Sequence, residues 1–298
     1  MKILNIGSMN LDFVYTMDHI VRPGETQSAT QMNVFIGGKG MNQSVAIAKA
    51  GGDVWHCGLI GEDGRTFIDC CKEYGVKSEF IRTTDGKTGH AIIQLDKNAQ
   101  NSIVLFGGAN QKFTEDFVDE VLSRFENGDI LVLQNEINLM PYIVDKAYSK
   151  GMFIVLNPSP FNEKLNYVDM SKIGLFMINE IEGEQITGHS SPDEIINIML
   201  KKYPSAKIVL TLGAQGAYYA DAEQKLFQPA VKVSAVDTTA AGDTFTGYFV
   251  TAMAENMPVE QAMKLCAAAS AIAVTRKGAA PSVPVREEAE QMLKVIKE

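Results

Sequence analysis

Residues 130–156 read Ile-Leu-Val-Leu-Gln-Asn-Glu-Ile-Asn-Leu-Met-Pro-Tyr-Ile-Val-Asp-Lys-Ala-Tyr-Ser-Lys-Gly-Met-Phe-Ile-Val-Leu. Two unbroken apolar runs, Ile130 to Leu133 and Phe153 to Leu156, bracket a stretch from Tyr142 to Lys150 whose apolar positions recur at helical spacing. A strand that is apolar at every position is covered on both faces, as in a parallel sheet between helices, whereas a one-sided strand would alternate. Strand, helix and strand in this order predict a βαβ unit. Outward from it, similar runs recur at Ile3 to Ile6, Val54 to Ile60, Leu175 to Ile178 and Ile208 to Leu212. Helical spacing recurs at Asn42 to Ala50, Arg65 to Tyr74, Thr114 to Phe125 and Ser191 to Lys201, several of them opening near Asp, Thr or Ser caps. The expectation is an α/β fold, a doubly wound, mostly parallel sheet flanked by helices.

Three segments interrupt the alternation: Phe13 to Thr16, Ala29 to Phe35, and Thr88 to Phe106. The last reads as a hairpin, Ala91 to Leu95 against Ser102 to Phe106, across a polar break at Asp96 to Gln100. Together they predict a small accessory sheet. Beyond them come a small-residue helix at Gly242 to Glu255, an Ala-rich one at Val259 to Val274, and an acid-rich terminal helix at Arg286 to Glu298.

Composition narrows the function. The 298 residues carry 27 Lys plus Arg against 36 Asp plus Glu, a formal charge of −9, which argues against a nucleic-acid partner because a phosphate backbone needs a clustered cationic face. No apolar run reaches the roughly 18 residues of a membrane span, and MKILNIGSMN turns polar too early for a signal peptide, so a cytoplasmic protein without membrane attachment is expected. Neither the cysteines (Cys57, Cys70, Cys71, Cys266) nor the histidines (His19, His56, His90, His189) stand at metal-ligand spacing, which disfavours structural zinc and a disulfide scaffold.

The most informative stretch is 236–247, Val-Asp-Thr-Thr-Ala-Ala-Gly-Asp-Thr-Phe-Thr-Gly. A small-residue turn entering a helix exposes unpaired N–H groups at the positive end of the helix dipole, where an anion is stabilised. Beside the amides of Ala240, Ala241 and Gly242, Asp243 is suited to take a proton from a hydroxyl attacking a phosphoryl group, although capping the helix is an equally simple use of it. Gly37-Gly-Lys-Gly-Met-Asn-Gln at 37–43 is no Walker loop, since Asn33 stands where its first glycine would be. Its glycines still allow close approach of a ligand, with Lys39 and Asn42 as donors. Asn10 and Asp12 after the first strand, and Glu136 after another, sit where α/β sheets place their crevice; they suit sugar hydroxyls or ordinary turns. Glu182, three residues after Asn179, suits a hydrated Mg²⁺ or a helix dipole. Thr211 to Gly216 (Thr-Leu-Gly-Ala-Gln-Gly) ends a strand in a turn that suits a nucleotide or a hairpin. The first strand is not followed by G-x-G-x-x-G, which disfavours a nicotinamide dehydrogenase.

Taken in order, GSMNLD (7–12), GGKGMNQ (37–43), NEIE (179–182), TLGAQG (211–216), DTTAAGDTF (237–245) and AVTRKGAAPSVP (273–284) resemble the ribokinase branch of the PfkB family of carbohydrate kinases, across essentially the whole chain. The resemblance implies one α/β domain over residues 1–298, with a β-sheet lid from about 10–17, 29–36 and 88–106. It implies ATP-dependent phosphorylation of D-ribose at the 5-hydroxyl. Asp243 would be the base and the N–H groups of Ala240, Ala241 and Gly242 the anion hole; Asn10, Asp12, Gly38, Lys39, Asn42 and Glu136 would touch the sugar. Asn179, Thr211, Gly213, Gly216 and Gly242 would hold the nucleotide, and Glu182 would lie near Mg²⁺, reached through water. Asp237, Thr239, Ala273, Arg276, Gly278 and Ser282 would bind K⁺, mainly through carbonyls. A homodimer paired through the lids is implied as well. Two departures bear on specificity: Met41 replaces the usual alanine, adding bulk beside the sugar contacts, and Ala267 replaces an Asn or His on the adenine side. A kinase of deoxyribose, another furanose or a nucleoside therefore stands as the alternative, and a non-catalytic sugar or nucleotide binder as the other.

Overall fold

A computed structural model describes residues 1–98 and 100–296; Ala99 of the expected polar break and Lys297 and Glu298 of the expected terminal helix lie outside the described residues. The strands are β1 (Ile3–Ile6), β2 (Asn10–Thr16), β3 (Gln31–Gly37), β4 (Val54–Ile60), β5 (Lys77–Thr83), β6 (Gly89–Leu95), β7 (Asn101–Phe106), β8 (Ile130–Gln134), β9 (Phe153–Asn157), β10 (Leu175–Asn179), β11 (Lys207–Thr211), β12 (Gly216–Ala220) and β13 (Lys225–Pro229). The α-helices are α1 (Lys39–Lys49), α2 (Thr66–Tyr74), α3 (Glu115–Leu122), α4 (Met140–Ser149), α5 (Glu180–Thr187), α6 (Pro192–Lys202), α7 (Ala241–Ala254), α8 (Val259–Val274) and α9 (Arg286–Ile296).

Two sheets form. The larger has the order β13-β12-β11-β10-β9-β8-β1-β4-β5, parallel from β11 to β5, with β12 and β13 added antiparallel at one edge. The apolar runs explain its burial. Along β8, Ile130 and Val132 pack into one core with residues of α1, α7 and α8, while Leu131 and Leu133 face a second core with residues of α3, α4 and α6. A strand between two helical layers has no wet face, which is why these runs do not alternate. The expected α/β architecture is thus present. No helix among the described residues is long and apolar enough to cross a membrane.

The smaller sheet, β3-β2-β6-β7, is the accessory sheet. Its strand β2 begins at Asn10, so Asn10 and Asp12 belong to the lid itself rather than to a loop after β1. The lid displays Val34, Phe35, Ile103, Val104, Leu105 and Phe106 to solvent.

Three features depart from the sequence reading. Strands β5, β12 and β13 were not expected. Helix α1 starts at Lys39, three residues before Asn42, because Gly38 takes a positive φ of 89° that opens the helix directly. Met41, read as bulk beside the sugar, is 0 % exposed; its side chain packs in the core with Cys71, whose Sγ lies 4.0 Å from its sulfur. Helical phase is the reason, since adjacent residues on α1 point about 100° apart and Asn42 alone of the pair reaches the site.

Candidate active site

The order of the larger sheet sets where a ligand can enter. The chain leaves β1 toward β4 and β5 on one side and runs outward from β8 through β9 to β11 on the other, so β1 and β8 flank the reversal. Connections that diverge at such a point leave a crevice beyond the C-terminal strand ends. Here the crevice is bridged by polar groups from both sides. The Ser8 hydroxyl donates to Glu136 Oε2, and the same oxygen accepts the Lys39 N–H at 3.1 Å. Gly40 and Met41 donate their N–H groups to Ser8 Oγ (3.2 Å) and Ser8 O (3.0 Å), which pins the start of α1 to the β1–β2 turn. Gly40 is required there, because a Cβ would collide with the backbone of Gly7 and Ser8.

Asn10 is fixed by Asn110, whose Nδ2 donates to Asn10 Oδ1 at 2.8 Å while its Oδ1 accepts the Met9 N–H at 3.0 Å. Asp12 lies against Gly37, where any side chain would strike its carboxylate. Burial, and then the charge of Glu136, push the Asp12 carboxyl up to about 7. Burial likewise raises Glu136, against the pull of Lys39 and Ser8. The Lys39 ammonium is opposed by burial, but the charges of Asp243, Glu136 and Glu182 hold it above its ordinary value. One cation therefore faces three carboxylates.

Beside this crevice lies a cavity of about 230 Å³, lined by Lys39, Asn157, Asn179, Glu182, Thr211, Thr238, Ala240, Gly242, Asp243 and Thr246 with Met177 and Ile178. Its floor is the C-terminal ends of β9, β10 and β11, and its wall is the start of α7. Ala240 stands before α7 with φ 63° and no side chain caps the helix, so its first-turn amides lack helical acceptors where Ala240 and Gly242 line the cavity. Of these, the Ala241 N–H makes a long bond of 3.3 Å to Thr238 O. Asp243 does not cap the helix. Its Oδ2 accepts from Asn42 Nδ2 at 3.2 Å and its Oδ1 from Gln43 Nε2 at 2.9 Å, joining α7 to α1. The two helices approach this closely because Gly247 lies against Ala46, where a Cβ would clash.

Asn179 and Glu182 do form a capping box on α5: Asn179 Oδ1 accepts the Glu182 N–H at 2.8 Å, and Glu182 Oε2 accepts the Asn179 N–H at 3.1 Å. The box still leaves both side chains lining the cavity. Of the other expected nucleotide residues, Thr211 lines it too, whereas Gly213 and Gly216 form the β11–β12 turn, Gly216 so close to Gln228 O that only glycine fits. Of the expected cation residues, Asp237, Thr239 and Gly278 meet. Asp237 accepts the N–H groups of Thr239 and Gly278, each at 2.9 Å, and the Asp237 N–H donates to Val274 O, drawing the segment from Ala273 to Gly278 beside the entry to α7. Ser282 sits in the following turn with its hydroxyl on Ala279 O, while the Arg276 side chain pairs with Glu288. Ala267 is buried on α8 and does not line the cavity.

Sequence reasoning missed Ser8, Asn110, Asn157 and Gln43. Gln43 stood inside a quoted motif, yet its partners lie far away in the chain: Asp243 is 200 residues distant and Asn157 is 114.

The geometry matches known proteins closely. A family model described as pfkB family carbohydrate kinase matches residues 1–286. The ribokinase of Haemophilus influenzae is 35% identical over 297 residues, 97% of each chain. Among solved structures, a ribokinase from Thermotoga maritima superposes with a TM-score of 0.87 at 34% identity, covering 98% of this chain and 99% of that one. The Arabidopsis thaliana ribokinase complexed with ribose and ATP gives a TM-score of 0.87 at 29% identity, covering 98% of each. With the motifs, the lidded α/β fold and the family match in agreement over nearly its full length, the chain belongs to the pfkB family of carbohydrate kinases.

Proposed function

We propose that this protein is an ATP-dependent kinase of D-ribose that transfers the γ-phosphoryl group to the 5-hydroxyl. The observation that carries the reading is Asp243: a carboxylate in the first turn of α7, beside amides without helical acceptors and hydrogen-bonded to Asn42 at the edge of the sugar crevice. The sugar would lie between the lid and the β1–β8 crevice, held by Asn10, Asp12, Gly38, Lys39, Asn42 and Glu136. Asp243 takes the proton of the attacking hydroxyl. The amides of Ala240, Ala241 and Gly242, with Lys39, face the charge that develops on the transferred group. Asn179, Thr211, Gly213 and Gly216 hold the nucleotide on the other side.

Glu182 presents a carboxylate to the cavity, an oxygen donor that suits a hydrated Mg²⁺ bound mainly by phosphate oxygens. Glu182 would hold it through water, and the ion would supply charge neutralisation to the triphosphate. Asp237 and the carbonyl-rich set of Thr239, Ala273, Arg276, Gly278 and Ser282 suit K⁺, which would order the turn into α7. With Met41 in the core, the feature that favoured a different sugar no longer bears on the pocket.

An ADP-release assay tests the sugar assignment. Ribose-dependent release is expected, and Asn42→Ala raises the ribose KM by about 10-fold or more, the worth of a hydrogen bond lost in a buried site, while the ATP KM holds. Equal rises in both constants would contradict a sugar-side role for Asn42.

The lid supports a homodimer. Strand β7 is an edge strand with Ile103, Val104, Leu105 and Phe106 each at least half exposed (50–62 %), a surface that a lone copy would leave wet. A second lid covering it would also close the sugar crevice. Sedimentation at micromolar concentration is expected to show a dimer that Val104→Glu converts to monomer; a wild-type monomer would refute the pairing.

A further inference from the structure

Beneath the cavity, five polar side chains, Asn5, Gln43, Ser44, His56 and Gln134, are each 0 % exposed. Polar groups in a core are costly unless hydrogen-bonded, so their arrangement is informative. They form one continuous chain. Gln134 Nε2 donates to Gln43 Oε1 at 2.7 Å and to Asn5 Oδ1 at 3.1 Å. Asn5 Nδ2 donates to Gly40 O (2.8 Å) and Ser44 Oγ (2.9 Å), and Ser44 Oγ lies 2.8 Å from His56 Nδ1. Burial pushes His56 down to about 3, so its ring is neutral.

The polarity of this chain fixes one amide that faces the cavity wall. Because Gln43 Oε1 is occupied by Gln134, the Gln43 NH₂ must point the other way, and it donates to Asp243 Oδ1 at 2.9 Å and Asn157 Oδ1 at 3.3 Å. Turning the Gln43 amide over would set oxygen against oxygen at both contacts. Gln134 holds this orientation at its own expense: its Oε1 is buried without a partner. Asn157 in turn donates to Glu182 Oε2 at 3.4 Å. Gln43 is therefore the junction between the carboxylate on the sugar side and the acid on the nucleotide side.

We propose that Gln43 is a positioning residue for Asp243. Its amide, oriented from behind by Gln134, holds one carboxylate oxygen so that the proton-accepting geometry is in place before the sugar arrives. The proposal rests on Asp243 being the base, and its test keeps the two separable. Gln43→Met conserves volume and removes the donor. Losing a hydrogen bond to a charged group is expected to lower kcat by about 10- to 100-fold. The KM values for ribose and ATP should stay within about threefold, since the contact is to the base and not to either substrate. In the Asp243→Asn background the same change should cost little further, because residues acting as a unit are not additive.

If Asp243→Asn is inactive but Gln43→Met keeps wild-type kcat, the positioning role is overturned while the base remains. If Gln43→Met raises both KM values along with lowering kcat, or lowers kcat again by its full factor in the Asp243→Asn background, its role is general packing and the proposal is likewise overturned. Near-normal turnover of Asp243→Asn instead sinks the base reading itself. Should Gln43→Met fail to fold, Gln43→Ala, which removes the donor without adding charge or volume, must show the same loss of kcat at unchanged KM.

Discussion

Asp243→Asn is expected to lower kcat by about 10²- to 10⁴-fold, the usual contribution of a positioned general base, while nucleotide affinity changes by no more than about threefold. The substitution keeps size and shape. The introduced amide can still present its oxygen to Gln43 Nε2, the shorter of the two contacts Asp243 makes. What it cannot do is take a proton from a hydroxyl. The first-turn amides of α7 are unaffected, so a bound triphosphate still meets the positive end of that helix. A fluorescent nucleotide titration beside single-turnover kinetics measures both quantities. Near-normal turnover would remove Asp243 from the chemistry, and lost nucleotide binding would recast it as a structural strut between α7 and α1.

The second large effect concerns the sugar and pH. Asp12 is half-buried beside Glu136, and burial first, then that neighbouring charge, raises its carboxyl to about 7. An ionised carboxylate accepts hydrogen bonds from two sugar hydroxyls at once; protonated, it accepts fewer and is weaker. Ribose binding should therefore require the ionised form. As pH falls below about 7, the ribose KM is expected to rise roughly tenfold per unit while the ATP KM stays level. The sign for stability runs opposite. A carboxyl raised by folding contributes stability that is full below its ordinary value of 3.8 and is lost as pH climbs through about 7, so the unliganded protein gives up some stability from this group at neutral pH. Ribose restores it by giving the charge its partners. Asp12→Asn should flatten the profile and raise the ribose KM at about pH 8 by roughly 10- to 100-fold. A ribose KM that stays constant from about pH 6 to about pH 8 in the wild type would take Asp12 out of the sugar site.

Which parts of this site the sequence reveals depends on how far each interaction reaches along the chain. The run from Val54 to Ile60 gives β4 to the residue, because a strand covered on both faces shows no polar alternation, its one polar residue, His56, being buried as well. Strand β5, Lys-Ser-Glu-Phe-Ile-Arg-Thr, is an edge with only Phe80 buried, so no apolar run marks it. The short hairpin of β12 and β13 closes the opposite edge; β12 is largely buried, but its Gly-Ala-Tyr-Tyr-Ala contains none of the branched apolar residues that mark the inner strands. Asp243, Asn42 and Lys39 are legible as chemistry, since each sits in a glycine-rich entry to a helix. Their mutual contact is not, because it needs Gly247 packed against Ala46 to bring α7 onto α1. Met41 illustrates the converse: adjacency in sequence suggested adjacency in the pocket, and the turn of α1 carries it into the core instead. Gln43 is the fullest case, with a neighbour at Gln134 that lies 91 residues away and no local pattern to announce it.

Phosphorylation of D-ribose with ATP is read out by ADP release across a panel of D-ribose, 2-deoxyribose, other pentoses and nucleosides, with and without K⁺. Release is expected to depend on D-ribose above every other acceptor and to yield ribose 5-phosphate, with K⁺ raising the rate. No ADP release with any sugar, or turnover of a nucleoside in preference to ribose, would contradict the ribose assignment.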